Sequence, residues 1–163
     1  MKILCILVGV VLVVLVAWRF FERPRPAHPP LTIGDDDPDM KNAMAKAQDT
    51  VSEFRRLYPQ HPDGALVKVP FITSSGRTEY LAAEVLEIVE EDVRVRLSTP
   101  PVTHQGKVER LQTFPIKKIV DWVIVMPGEK REGGFTMRVM FKKAREQWGE
   151  LPPDISVEEK KYE

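Results

Sequence analysis

Two short stretches hold the residue types and spacing that could do chemistry. Asp121-Trp122 lies in an apolar run, and Gly133-Gly134-Phe135-Thr136-Met137-Arg138 opens a helical pattern. The two glycines permit positive φ or close backbone approach, and Thr136 can cap the helix. Free amides at a helix N-terminus attract an anion. Asp121 could be that anion, supplied from within the chain and fixing the helix to the sheet. Alternatively, the Gly-Gly turn receives an external carboxylate or phosphate, with Arg138 assisting. A buried aspartate beside a tryptophan is usually satisfied by backbone donors, which favours the structural version. A third reading is enzymatic: Asp121, Arg138, Glu79 and Tyr80 converge on a cleft and perform hydrolytic acid–base work.

Other candidates are weaker. Ser74 and Ser75 precede Gly76 in a turn, with no Gly-x-Ser-x-Gly elbow around them. The one cysteine, Cys5, sits in the apolar N-terminal segment, and His28, His61 and His104 are scattered without ligand spacing. The acids Asp35, Asp36, Asp37 and Asp39 lack the ligand alternation and central glycine of a calcium loop, so helix capping explains them better. No phosphate-cradling glycine pattern occurs. Catalytic residues, a metal and a cofactor are therefore not expected. The 24 basic and 24 acidic residues give zero net charge, which argues against a nucleic-acid partner.

The elements that must position these residues follow from periodicity. Met40, Ala43, Met44, Ala47, Val51, Phe54 and Leu57 share one helical face, with Asp36 or Asp37 as cap, Pro38 in the first turn and Tyr58-Pro59 as stop. Alternating runs predict strands over 65–72, 78–89, 93–97, 108–114 and 116–126, with a polar loop at 127–134. A last helix covers 136–148, and Gly149 ends it. Short connections imply antiparallel neighbours. The expected domain is α+β: a curved, mostly antiparallel five-stranded sheet, open or closed into a partial barrel, packed by an N-terminal and a C-terminal helix. It spans residues 38–150; a charged tail fills 151–163, in which Pro152-Pro153 stops the last element and Ser156 to Glu163 is frayed.

Ahead of the domain, Ile3 to Trp18 is sixteen residues without a charge. With Phe20 and Phe21 it approaches the length of a membrane span, so residues 1–21 are read as a retained single-pass transmembrane helix. Residues 22–37 form a Pro-rich spacer. Arg19, Arg23 and Arg25 outweigh Lys2, which places the domain on the cytoplasmic side by a narrow margin.

The Met-Ala-rich helix (Met40 to Leu57), Val67-Lys68-Val69-Pro70-Phe71, Thr78-Glu79-Tyr80-Leu81, Asp121-Trp122 and Gly133 to Arg138 together resemble the bacterial domain-of-unknown-function 2314 family, also called YegJ-like proteins. The resemblance covers about residues 38–150 and rests chiefly on the last two motifs. In its middle the chain departs from the family: Glu79-Tyr80-Leu81-Ala82 stands where Trp-Val after Glu-His is common, which weakens any role for a histidine there. The resemblance implies a compact α+β domain, often exported or membrane-linked, and carries over no activity; with the retained span, the expected location is the bacterial inner membrane. Tether, spacer, balanced charge and missing catalytic dyads point to a non-enzymatic domain that binds or regulates a protein partner. An immunity or inhibitor type is one version, and the hydrolase is the alternative.

Overall fold

A computed structural model describes residues 28–34, 36–73, 76–98 and 109–163. The chain divides into residues 1–30 and a compact unit, Leu31–Glu163. The expected anchor with Cys5, spacer residues 22–27 and Asp35, and Ser74, Ser75 and His104 lie outside the described residues. Among the described residues, no helix is long and apolar enough to cross a membrane.

Helix α1 (Pro38–Asp49) starts where Asp37 Oδ1 accepts from the Met40 amide at 3.1 Å, with Pro38 in the first turn, where its missing N–H costs nothing. Between Asp36 and Asp37, it is Asp37 that caps. The apolar face that predicts one helix to Leu57 is interrupted: α2 (Val51–Leu57) is separate, and Thr50 lies at φ −102°, ψ 11°. Thr50 Oγ1 donates back to the Lys46 carbonyl at 2.8 Å. The Trp122 indole N–H then donates to the Ala47 carbonyl and to Thr50 Oγ1, each at 3.2 Å. A side chain inserted into the helical ladder breaks it there.

Six strands follow: β1 (Ala65–Ile72), β2 (Thr78–Val89), β3 (Asp92–Leu97), β4 (Leu111–Pro115), β5 (Asp121–Val125) and β6 (Arg131–Gly133). They form one antiparallel sheet in the order β4-β3-β2-β1-β5-β6. This corrects the five-stranded expectation, and the sheet is open, with β4 and β6 as its edges, not a partial barrel. The sixth strand comes from the supposed loop at 127–134, three residues long and defined only by pairing with β5. The fifth is shorter than expected. Residues Ile116–Lys118 make a 3-10 turn in which the Ile119 amide bonds the Ile116 carbonyl at 3.2 Å. Ile116 and Ile119 are both buried, and that spacing of three is a turn's, not a strand's.

One face of the sheet packs Val67, Val69, Leu81, Ala83, Val85 and Val95 against Phe54 of α2 and Trp122. The alternation in β2 changes phase after Val85, where the register with β3 shifts. Helix α3 (Phe135–Trp148) ends at Gly149, as expected. It lies beside α1, with Lys143 on Asp37 at 2.9 Å and Lys142 on Asp39 at 2.8 Å. The tail is not frayed. Pro153 opens a helix α4 (Pro153–Glu159) instead of stopping one, and Tyr162 is buried. Leu151, Ile155 and Tyr162 explain the difference, because they cover Val123, Met137 and Phe141.

Candidate functional site

Asp121 opens β5 and lies opposite Lys68 of β1 in the strand register. Only 3% of Asp121 is exposed. Its Oδ1 accepts from the Trp122 amide at 2.9 Å and the Phe135 amide at 3.1 Å. Its Oδ2 accepts from the Thr136 amide at 2.8 Å and the Thr136 hydroxyl at 2.5 Å. A carboxylate has about four lone-pair sites, so every acceptor position is filled. The first amides of α3, which an outside anion would use, are bonded to this carboxylate.

Thr136 was expected as the helix cap. It lies inside the helix instead, fully buried, and gives both its amide and its hydroxyl to Asp121. The cap comes from a different strand because the chain arrives through two left-handed glycines, Gly133 (φ 80°) and Gly134 (φ 65°), with no side chain to offer. A Cβ on Gly133 would fall on the Trp122 carbonyl oxygen and indole ring, and one on Gly134 on the Tyr162 ring. Gly134 also donates its amide to the Trp122 carbonyl at 2.7 Å. The close approach and the positive φ are therefore both in use.

Lys68 is the participant that sequence reasoning missed. Its Nζ donates to Thr136 Oγ1 at 2.8 Å, completing a chain from ammonium through hydroxyl to carboxylate. Burial holds the Lys68 ammonium below the ordinary lysine value, and the Asp121 charge offsets part of that. Strand alternation alone places Lys68 on the face opposite Val67 and Val69. Only the pairing of β1 with β5 brings it to Asp121.

Trp122 sits on the other face of the strand. It is 1% exposed, stacks near Phe54 at 5.6 Å between ring centres, and meets Phe135 edge-on at 5.8 Å. Arg138 is exposed on α3, and no hydrogen bond joins it to Asp121 among the described residues. Glu79 and Tyr80 are elsewhere. They border a groove of about 680 Å³ with Met40, Met44 and Arg77, and neither Asp121 nor Arg138 lines it. Glu79 pairs with Phe71, three residues along β1 from Lys68 and two strands from Asp121. At about 3.3 Å per residue and 4.8 Å per strand, the Glu79 and Asp121 backbones are roughly 14 Å apart. The four proposed acid–base residues do not share a cleft.

As an arrangement of atoms, the corner made by β5, β6 and α3 has no free lone pair on Asp121 with which to take a proton and no exposed hydroxyl on Thr136 for attack. Among the described residues, no group of three or more histidine, cysteine, aspartate or glutamate side chains could hold a metal. No curated protein matches the chain, and no solved structure matches it. Residues 37–149 match the model of DUF2314, described as an uncharacterized protein conserved in bacteria, and the chain belongs to that family.

Proposed function

We propose that this chain is a non-enzymatic binding module, held at the bacterial inner membrane by its N-terminal segment, whose α+β domain docks a protein partner. The observation that carries the reading is the saturation of Asp121. Its acceptor positions are filled by amides of Trp122, Phe135 and Thr136 and by the Thr136 hydroxyl, so the most chemically distinctive motif is used up in building the domain. The uncharged run Ile3 to Trp18 supports the tether, and Arg19, Arg23 and Arg25 favour a cytoplasmic domain. The outward face of the sheet supports the docking role. Ile72 and Tyr80 are exposed there, Ile72 by 73%, with Tyr80 paired to Pro70 two residues from Ile72, and neighbouring exposed apolar side chains serve contacts.

Two measurements on the intact chain test this. Membranes washed at alkaline pH should retain it until detergent is added. The detergent-extracted chain should carry one protein at fixed stoichiometry through two orthogonal affinity steps. Turnover of model esters, phosphomonoesters or peptides that is lost in an Asp121→Asn variant of unchanged fold would refute the non-enzymatic reading.

A further inference from the structure

We infer that residues 150–163 are a removable arm, and that the surface beneath them is a docking face for a short aromatic and acidic segment of a protein partner. This inference rests on the binding-module reading and deepens it by naming the surface and the chemistry of what it takes.

The family match ends at residue 149. The domain so defined includes Val123, Gly134, Met137 and Phe141 but not what covers them. Here the cover is the arm: Leu151, Ile155 and Tyr162 pack on that surface. The Tyr162 ring lies over Gly134, where a Cβ would collide with it, and meets Phe141 edge-on at 5.5 Å between ring centres. Gly134 thus makes a seat for an aromatic ring. Around the seat stand cations: Arg131 pairs with Glu158 at 3.4 Å, and Arg145 pairs with Glu159. Lys161 returns a positive charge to Glu129 at 3.0 Å.

The way the arm is attached distinguishes it from the rest of the fold. Among the described residues, no backbone–backbone hydrogen bond joins it to the body, and its own turn closes locally from the Ser156 amide to the Pro152 carbonyl. Among the described residues, side chains alone hold it: Leu151, Ile155 and Tyr162 by packing, and Glu158, Glu159 and Lys161 by ion pairs. By contrast, β6 is bonded into the sheet. The link from α3 is Gly149, at φ 81°, followed by Glu150, Leu151 and Pro152. A segment held only by side chains opens at lower cost than a strand in a ladder. The arm also serves as a template for its competitor: a short amphipathic helix, one aromatic side chain for Gly134, and two carboxylates for Arg131 and Arg145.

The test uses the full chain in detergent and a fluorescent peptide with the sequence of residues 151–163. In the wild-type chain the tethered arm competes at an effective concentration in the millimolar range. The Tyr162→Ala chain should therefore bind the peptide at least tenfold more tightly than the wild-type chain does. A peptide with its tyrosine replaced by alanine, or with Glu158→Lys and Glu159→Lys, should lose at least tenfold. Hydrogen exchange of the wild-type chain supplies a second readout, in which amides of 154–162 should exchange at least a hundredfold faster than those of β1 and β2. Equal binding to both chains, no binding to either, or arm amides as protected as the sheet would overturn the inference. So would loss of sheet protection in Tyr162→Ala. A co-purified partner that excess peptide fails to displace would also overturn this surface while leaving the binding-module reading intact.

Discussion

Replacing Asp121 by alanine tests the central corner directly. The substitution deprives the amides of Trp122, Phe135 and Thr136 and the Thr136 hydroxyl of their acceptor. At about 1 kcal/mol each, the lower end for an unmet buried donor, the loss is ~4 kcal/mol. The half-buried Lys68 ammonium also loses the carboxylate behind Thr136. Urea unfolding of the full chain in mild detergent, followed by tryptophan fluorescence and near-ultraviolet dichroism, reads the effect. With a slope of roughly 2 kcal/mol per molar, the midpoint should fall by ~2 M. Asp121→Asn keeps the shape but turns an amide nitrogen toward two donors of Thr136, so it should fall by about half as much. Adding Lys68→Met to Asp121→Ala should recover about 1 kcal/mol, because the buried ammonium is then removed as well. An Asp121→Ala midpoint within about 0.3 M of wild type, at an unchanged slope, would refute the internal cap. It would mean that the carboxylate is held ready for something else.

Three further outcomes follow from the same corner and its neighbours. Gly133→Ala should destabilise by about 3 kcal/mol or more in the same assay, because its φ of 80° is left-handed and the added carbon meets the Trp122 carbonyl, a backbone atom that cannot swing away. Trp122→Phe should cost about 2 kcal/mol by denaturation, since it removes the indole donor shared by the Ala47 carbonyl and Thr50 Oγ1 at the α1–α2 break and leaves a gap beside Phe54. The pH dependence has a definite sign at Lys68. Its folded value lies below the ordinary 10.5, so between the two values the unfolded chain binds more protons and stability rises with pH. Stability measured through the window just below 10.5 should climb in the wild-type chain and lose that component in Lys68→Met. A slope unchanged by the substitution would mean that the ammonium is not desolvated there.

How much of this was legible in the chain can be told residue by residue. The spacing of Met40, Ala43, Ala47, Phe54 and Leu57 dictates a helical face, and the acid-Pro pair at Asp37-Pro38 dictates where it begins, because both signals act within one turn. The alternation in 65–72 and 78–89 dictates two strands for a similar local reason. Asp121, Trp122 and the Gly-Gly pair were visible as residues whose types demand partners. Which partners they take was decided by tertiary structure. Lys68 meets Thr136 over a separation of 68 residues, and Trp122 breaks a helix that is continuous by its own periodicity, 72 residues away. The three-residue β6 exists only because β5 offers it a ladder, and the arm is ordered only because Tyr162 finds Gly134. Local propensity and period act through neighbours in sequence, whereas a buried polar group is satisfied by whatever the packed chain brings within about 3 Å. That is why the sequence by itself determined α1, β1, β2 and the residues in need of partners and favoured Asp121 as an internal anion, whereas only the fold fixed which donors it takes, brought Lys68 behind Thr136 and ordered β6 and the arm.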